Sequence, residues 1–392
     1  MTTFLHTADW QLGKPFSRVE DLDRQADLRR QRLDTIDRIG EVAREQEARF
    51  ILVAGDVFDS PRPTDRLISA ALERVGHLPV PVYLIPGNHD HAGPGCLWES
   101  PHFLKEQQLL APNLTVLLTA EPFERDDCLL LPCPLLRRQS SGDPTGWIQS
   151  LDFDPSDARP RVVLAHGSTV NFQADLDDED EPGQANFIDL ARLSSQHDEI
   201  DYIALGDWHG FVQAGEKAWY AGSHETDRFP KNGQLPGHVA CVKAVRGKAP
   251  EVLPIPTGAI AWFTHASTLL DSGGPEHLDN ELSRLSRDTG VTRVVAKLEL
   301  DGHLGLEDLG RLDALLHTWQ ARMVHLRVHN RVSLQPTDAE LSSLTGRAED
   351  PLIARVAASL ATESGGDDEE ARTASLALML LYQQVTQPEA AT

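Results

Sequence analysis

Residues 50–60 read FILVAGDVFDS, five apolar residues that stop at Gly55-Asp56. An unbroken apolar run of this length, closed by a glycine and a carboxylate, suits a strand covered on both faces. The same shape recurs on either side of it. Residues 3–9 (TFLHTAD) form an apolar run that ends at Asp9, with Gln11 just beyond. Residues 80–90 (VPVYLIPGNHD) stop at Pro86-Gly87 and lead into Asn88, His89 and Asp90. Residues 161–167 (RVVLAHG) end at His166, and residues 202–209 (YIALGDWH) end at Asp207 and His209. Helical periodicity fills the first gaps. Leu33, Ile36, Ile39 and Val42 share one face of 28–48, with charge elsewhere, and Leu67, Ile68, Ala71, Leu72 and Val75 share one face of 64–77. Strands alternating with helices predict crossover units and an α/β sheet covered by helices.

Further out, shorter alternating runs over 211–254 predict a strand-rich finish to a first domain spanning 1–255. The acidic stretch 174–184 reads as an exposed loop. Residues 256–345 predict a small α+β domain. It has helices over 275–287 and 305–319, the latter with Leu309, Leu312, Leu316 and Trp319 on one face. It has strands over 293–300 and at Val324, Leu326 and Val328. Residues 346–392 carry two more helical patterns, 350–361 and 372–386, joined by the Gly-rich acidic segment ESGGDDEEA. Leu352, Ile353, Val356 and Leu360 make one apolar stripe; Leu376, Met379, Leu380 and Tyr382 make most of another. These stripes either pack on each other and on the second domain, or dock onto a partner's coiled coil.

Composition narrows the function classes. The 392 residues hold 36 Lys and Arg against 60 Asp and Glu, a net charge of −24. A chain gripping nucleic acid with its own surface is usually basic, so DNA binding here needs metal ions, a local basic patch or a partner. Four cysteines, Cys96, Cys128, Cys133 and Cys241, include no CxxC pair, which argues against a disulfide scaffold or a zinc ribbon. No apolar run approaches the ~18 residues that span a bilayer, and no leader pattern precedes the first strand. The expectation is a cytoplasmic protein with no membrane association.

The strand ends carry the chemistry. Carboxyl ends of strands in an open α/β sheet converge on one crevice, so Asp9, Asp56, Asn88, His166 and Asp207 would meet in space. Carboxylate and amide oxygens suit hard divalent cations, and imidazole suits manganese, iron or zinc. A carboxylate between two cations can hold them ~3.5–4 Å apart for in-line displacement at phosphorus. A lone Gly-Asp or His carries no such meaning: His6, His77 and His102 read as surface or satisfied histidines. Trp98, Trp147 and Trp208 either stack on bases or pack in the core, with Trp208 bordering the crevice.

The series Asp9, Gly55-Asp56, Gly87-Asn88-His89-Asp90, His166-Gly167 and Gly206-Asp207-x-His209 resembles the calcineurin-like metallophosphoesterases. The segments FLHTADWQLG, AGDVFDS and WYAGSHETDRF resemble the DNA-repair exonucleases of the SbcD type, and GDWHG and GPGCLWES the YhaO-like branch. The resemblance implies a sandwich of two central β-sheets flanked by helices, with a capping domain and C-terminal helices. It implies two divalent ions, Mn2+ or Mg2+. Asp9 and His209, with Gln11, would hold the first, Asp56 would bridge, and Asn88, His166 and Asp207 would hold the second. His89 would protonate the leaving oxygen, with Asp90 orienting its ring. Ser223 and His224 either line the site, as the family's loop does, or close a simple turn after a strand. Read from the residues alone, Arg137-Arg138, Arg228 and Lys231 either meet phosphate or stand solvated, the commoner state of such charges. Gln11 and Asp207 depart from the family's histidines and harden both metal positions. The implied partners are DNA, an SMC-like ATPase and a second copy of the chain. The implied activity is a DNA exonuclease, with endonuclease activity alongside. Two other readings remain open: a small-molecule or nucleotide phosphoesterase, and a catalytically weak regulatory subunit of an ATPase complex.

Overall fold

The computed structural model describes residues 1–170, 186–230, 234–270, 273–366 and 368–386. The acidic stretch 174–184 and Lys231 lie outside the described residues. The chain forms two compact units, Met1–Ile260 and Ala261–Thr392.

In the first unit, strand β1 (Thr2–Thr7) leads through helix α1 (Leu22–Glu45) to β2 (Ile51–Ala54). Then follow α2 (Asp65–Gly76), β3 (Val82–Ile85), α3 (Pro101–Leu110) and β4 (Leu114–Val116). A second run contains β5 (Phe123–Glu124), β6 (Leu129–Cys133), β7 (Arg161–His166), α4 (Leu190–Gln196), β8 (Tyr202–Gly206), β9 (Val212–Gly215) and β10 (Ala218–Tyr220). Strands β11 (His238–Ala244) and β12 (Glu251–Pro256) return to the first sheet, whose order is β12-β11-β1-β2-β3-β4. The second sheet runs β5-β6-β7-β8-β10-β9. Strands β1 to β4 are mutually parallel, as are β6, β7 and β8, so their carboxyl ends point one way within each sheet.

Strand alternation sorts the apolar residues between layers. Ile51 and Val53 join the core beneath the helices, while Phe50, Leu52 and Ala54 face the other sheet. There they meet Leu130, Val162, Leu164, Tyr202 and Ala204 in a second core. This is the expected sandwich of two sheets flanked by helices. His6 lies buried between the sheets: its Nε2 donates to the Leu205 carbonyl and its Nδ1 accepts from the Tyr202 hydroxyl. Burial pushes its pKa down to about 3, so it is a neutral core histidine.

Helix α1 starts six residues before the apolar periodicity that marks it. Asp21 caps it, its carboxylate accepting from the Asp23 and Arg24 amides, and the polar first turn adds no apolar stripe.

The second unit has strands β13 (Ala261–Leu269), β14 (Val294–Leu304), β15 (His325–Asn330) and β16 (Ser333–Leu334). Its helices are α5 (Gly274–Leu285), α6 (Leu306–Arg322), α7 (Asp338–Thr345), α8 (Pro351–Glu363) and α9 (Glu369–Thr386). Leu306, Leu344, Ala357, Leu378 and Met379 share one core, so the C-terminal helices belong to this unit. The seam runs through Ala357, Leu378 and Met379, and leaves Leu352, Val356, Leu376 and Leu380 exposed. Among the described residues no helix is long and apolar enough to cross a membrane.

Candidate metal centre

The site is assembled from strand ends held in tight, left-handed turns. Asp9, after β1, has φ +52°, and Asp56, after β2, has φ +55°, a region that side chains rarely occupy. Backbone ties hold these turns together: the Asp9 amide donates to the Gly55 carbonyl, and the Gln11 amide to the Asp56 carbonyl. Arg32 locks them from beneath. Its guanidinium is 1% exposed and donates to the carbonyls of Asp9 (2.9 Å), Trp10 (2.8 Å) and Glu225 (3.0 Å). Glycines let the strand ends crowd. A Cβ on Gly55 would lie 2.4 Å from His166 Nδ1, and one on Gly87 would lie 2.1 Å from Asp56 Oδ1.

His166 is fully buried. Its Nδ1 faces the Ala54 carbonyl at 2.7 Å, which can only accept, so Nδ1 carries the proton and Nε2 faces the pocket. That nitrogen lies 2.8 Å from Asn88 Oδ1, 3.6 Å from Asp56 Oδ1 and 3.7 Å from Asp207 Oδ1. Asp9, also buried, accepts from the Asp207 amide on both carboxylate oxygens. Asp9, Asp56 and His166 each offer a ligand atom within 4.8 Å of the others.

The electrostatics of this cluster call for a cation. Burial raises the Asp9 carboxyl well above its ordinary range, and the neighbouring Asp56 and Asp207 raise it further against the pull of His166. Burial pulls the His166 imidazole down, yet the carboxylates of Asp56, Asp9 and Asp207 outweigh it and hold the pKa at about 9. Buried carboxylates facing one imidazole nitrogen either keep protons or take a divalent ion. The donor set of oxygens and one imidazole fits such an ion.

Residues 2–241, more than half the chain, match the family model described as calcineurin-like phosphoesterase. The chain belongs to the calcineurin-like phosphoesterase family. The pocket is accordingly that of a metal-dependent phosphoesterase. A solved structure aligns with 64% of this chain and 98% of its own at 12% identity and a TM-score of 0.38.

The structure treats the expected site residues unequally. It gathers Asp9, Asp56, Asn88, His166 and Asp207. His89 lies beside them: its amide donates to Asp56 Oδ1 at 2.9 Å, and its Nε2 is 4.0 Å from Asp56 Oδ2. The orientation expected from Asp90 comes instead from the Asp59 carbonyl, which takes His89 Nδ1–H at 2.9 Å. The Asp90 carboxylate serves the backbone, accepting from the amides of Val57, Phe58 and Gly87, and so pins the Asn88 turn to the Asp56 turn. Burial and the Asp56 charge push its pKa up to about 7.

Gln11 is buried, and its Oε1 accepts from Lys14 Nζ at 2.7 Å. His209 is hemmed between Asp227 Oδ2, 3.0 Å from Nδ1, and Arg228 Nη2, 2.9 Å from the same nitrogen. Burial and the adjacent guanidinium push its pKa down to about 4. Ser223 and His224 do not line an open site. Both are 0% exposed; the Ser223 hydroxyl donates to the Glu225 carbonyl, and His224 Nε2–H donates to the Arg32 carbonyl. Arg137 is exposed in the chain after β6, and Trp98 is buried with its Nε1–H on the Asp90 carbonyl. Asp59 and Asp227 fall within the quoted segments AGDVFDS and WYAGSHETDRF without being singled out there, and Lys14 and Arg32 fall outside every quoted segment.

Proposed function

We propose that the chain is a phosphodiesterase acting on DNA, an exonuclease with endonuclease activity, working with an SMC-like ATPase. The observation that carries the phosphoester chemistry is the buried grouping of Asp9, Asp56 and His166 with Asn88 and Asp207 alongside. The DNA substrate is supported by the likeness of FLHTADWQLG, AGDVFDS and WYAGSHETDRF to SbcD-type nucleases, and by Arg228 and Lys14 near the same turns. The ATPase partner is supported by that likeness and by the exposed Leu352, Val356, Leu376 and Leu380 on the C-terminal helices.

Asp9, Asp56, Asn88, His166 and Asp207 would hold Mn2+ or Mg2+. Such an ion supplies Lewis acidity, neutralising charge at a phosphoryl oxygen and acidifying a water. The protein does the rest. His166 offers Nε2 because Ala54 fixes its tautomer, and Arg32 holds the Asp9 loop rigid. A water oxygen would form the new P–O bond, releasing its proton to solvent, as the bond to the sugar oxygen breaks in line with it. His89, with Nδ1–H on Asp59, presents Nε2 towards Asp56; in its imidazolium form it hands a proton to the departing oxygen.

The net charge of −24 favours a second reading, a phosphoesterase for small molecules or nucleotides. Mn2+-dependent nucleotide release from single- and double-stranded DNA, set beside hydrolysis of bis-p-nitrophenyl phosphate, separates the two. DNA hydrolysis above an Asp56→Asn blank supports the nuclease. Hydrolysis of the small ester alone overturns it in favour of the second reading. No hydrolysis of either leaves a regulatory subunit.

A further inference from the structure

The place that the family resemblance assigns to a first cation is already furnished with fixed positive charge. Lys14 Nζ sits on two oxygens, Gln11 Oε1 at 2.7 Å and Asp227 Oδ2 at 2.8 Å. The backbone builds this contact. The Lys14 amide donates to the Gln11 carbonyl at 3.1 Å, and the turn passes through Gly13 at φ +94°, folding Lys14 back onto Gln11. The Asp227 side chain is wholly buried and also takes His209 Nδ1 at 3.0 Å and Arg228 Nε at 3.3 Å. One buried carboxylate thus anchors both a lysine and an arginine beside the His209 ring.

This rim adjoins the carboxylate–imidazole cluster. Gln11 lies two residues after Asp9, and its amide donates to the Asp56 carbonyl. A divalent ion on Gln11 Oε1 would sit about 2.1–2.5 Å from an oxygen that already accepts from an ammonium. The two cations would share one neutral amide oxygen and repel each other. An amide also binds more weakly than the imidazole that the family places there.

We propose that this pocket seats one divalent cation, among Asp9, Asp56, Asn88, His166 and Asp207, and that Lys14 with Arg228 replaces the second cation as the clamp on a phosphodiester oxygen. The inference deepens the phosphodiesterase reading and rests on its metal site. A diester group carries a single negative charge, which an ammonium or guanidinium matches directly. The acidic protein thereby carries its own localised basic patch at the point of chemistry.

The test is metal content of the full chain, purified with excess Mn2+, desalted, and read by plasma mass spectrometry and electron paramagnetic resonance. Wild type should hold about one Mn2+ per chain with an uncoupled spectrum. The double variant Gln11→His/Lys14→Ala should rise to about two and show spin coupling, because an imidazole and a vacated charge restore the second position. Two coupled ions in wild type would overturn the inference while leaving the phosphodiesterase reading intact, as would a double variant that stays at one. No bound Mn2+ in wild type would overturn both. Lys14→Met keeps the side-chain bulk. With its melting temperature checked against wild type, it should bind inorganic phosphate on the Mn2+-loaded protein about ten-fold more weakly. Unchanged phosphate affinity would overturn the clamp.

Discussion

His166 and His209 are both withdrawn from solvent at the same pocket, yet they stand on opposite sides of neutrality. Burial alone would push each down. His166 faces Asp56, Asp9 and Asp207 and is held at about 9. His209 lies against Arg228, with Lys14 nearby, and falls to about 4 even with Asp227 at hydrogen-bond distance. His166 is wholly buried and His209 nearly so, and burial lowers both; the carboxylates around His166 reverse that push, whereas at His209 burial and then Arg228 reinforce it. One half gathers anions and calls for a cation. The other gathers Lys14 and Arg228 on the Asp227 carboxylate and suits an anionic group. A phosphodiester needs both.

The sharpest way to break this contrast is to remove the carboxylate at the centre of the anionic half. Asp56→Ala should abolish Mn2+ retention and lower bis-p-nitrophenyl phosphate hydrolysis by about 1,000-fold or more. Steady-state rates and metal content measure the two together. Retained activity without Asp56 would mean that the chemistry lies elsewhere. His89→Ala should cost turnover by about 100- to 10,000-fold and leave Mn2+ content unchanged, because in the proposed mechanism the ring assists the leaving group and does not ligate. Metal loss in that variant would assign His89 to the cation.

A third expectation concerns protons. In the metal-free protein the folded state keeps the His166 proton that the unfolded chain releases near 6.5. That contribution is full below pH 6.5 and is lost as pH rises through about 9, on the order of 3 kcal/mol. Asp90, raised to about 7, acts in the same direction at lower pH, its contribution fading between the ordinary carboxylate range and neutrality. Melting of the metal-free protein should therefore fall between pH 6.5 and 9. Saturating Mn2+ should reverse the slope, because the ion requires the deprotonated imidazole. A flat or rising melting curve without metal would contradict the anionic character of this half.

The two halves also differ in how far the sequence revealed them. Asp9, Asp56, Asn88, His166 and Asp207 were legible because each closes an apolar strand, and parallel strands bring their ends together whatever the loops do. The sheets and their flanking helices were legible for the same periodic reason. The basic half was not. Lys14 and Asp227 lie far apart in sequence, and a long-range ion pair leaves no periodic mark. Arg32 falls among the charged positions of α1, yet it is buried beneath the Asp9 loop, because three backbone carbonyls need its donors. Ser223 and His224 sit in a segment that looks like a pocket wall; the Ser223 hydroxyl and His224 Nε2–H are taken by backbone carbonyls, which no side-chain pattern signals. Asp90 follows His89 directly, but adjacent side chains on a turn point apart, and its carboxylate went to main-chain amides instead.

The smallest expected effect tests the basic half by its own proton. The unfolded chain binds a proton on His209 below 6.5 that the folded state refuses until about 4, so stability is lost as pH falls through that window. Arg228 is the second cause of that refusal after burial. Replacing it with methionine keeps the bulk and removes the charge. The loss in melting free energy between pH 6.5 and 4.5 should then shrink, relative to wild type, on the order of 1 kcal/mol, since the guanidinium is partly solvated and its field is screened. Nuclear magnetic resonance of the His209 ring should show its titration moving towards the ordinary value. A ring that still titrates near 4 in Arg228→Met would assign the shift to burial with Lys14, and Arg228 would then have no part in the contrast between the two histidines.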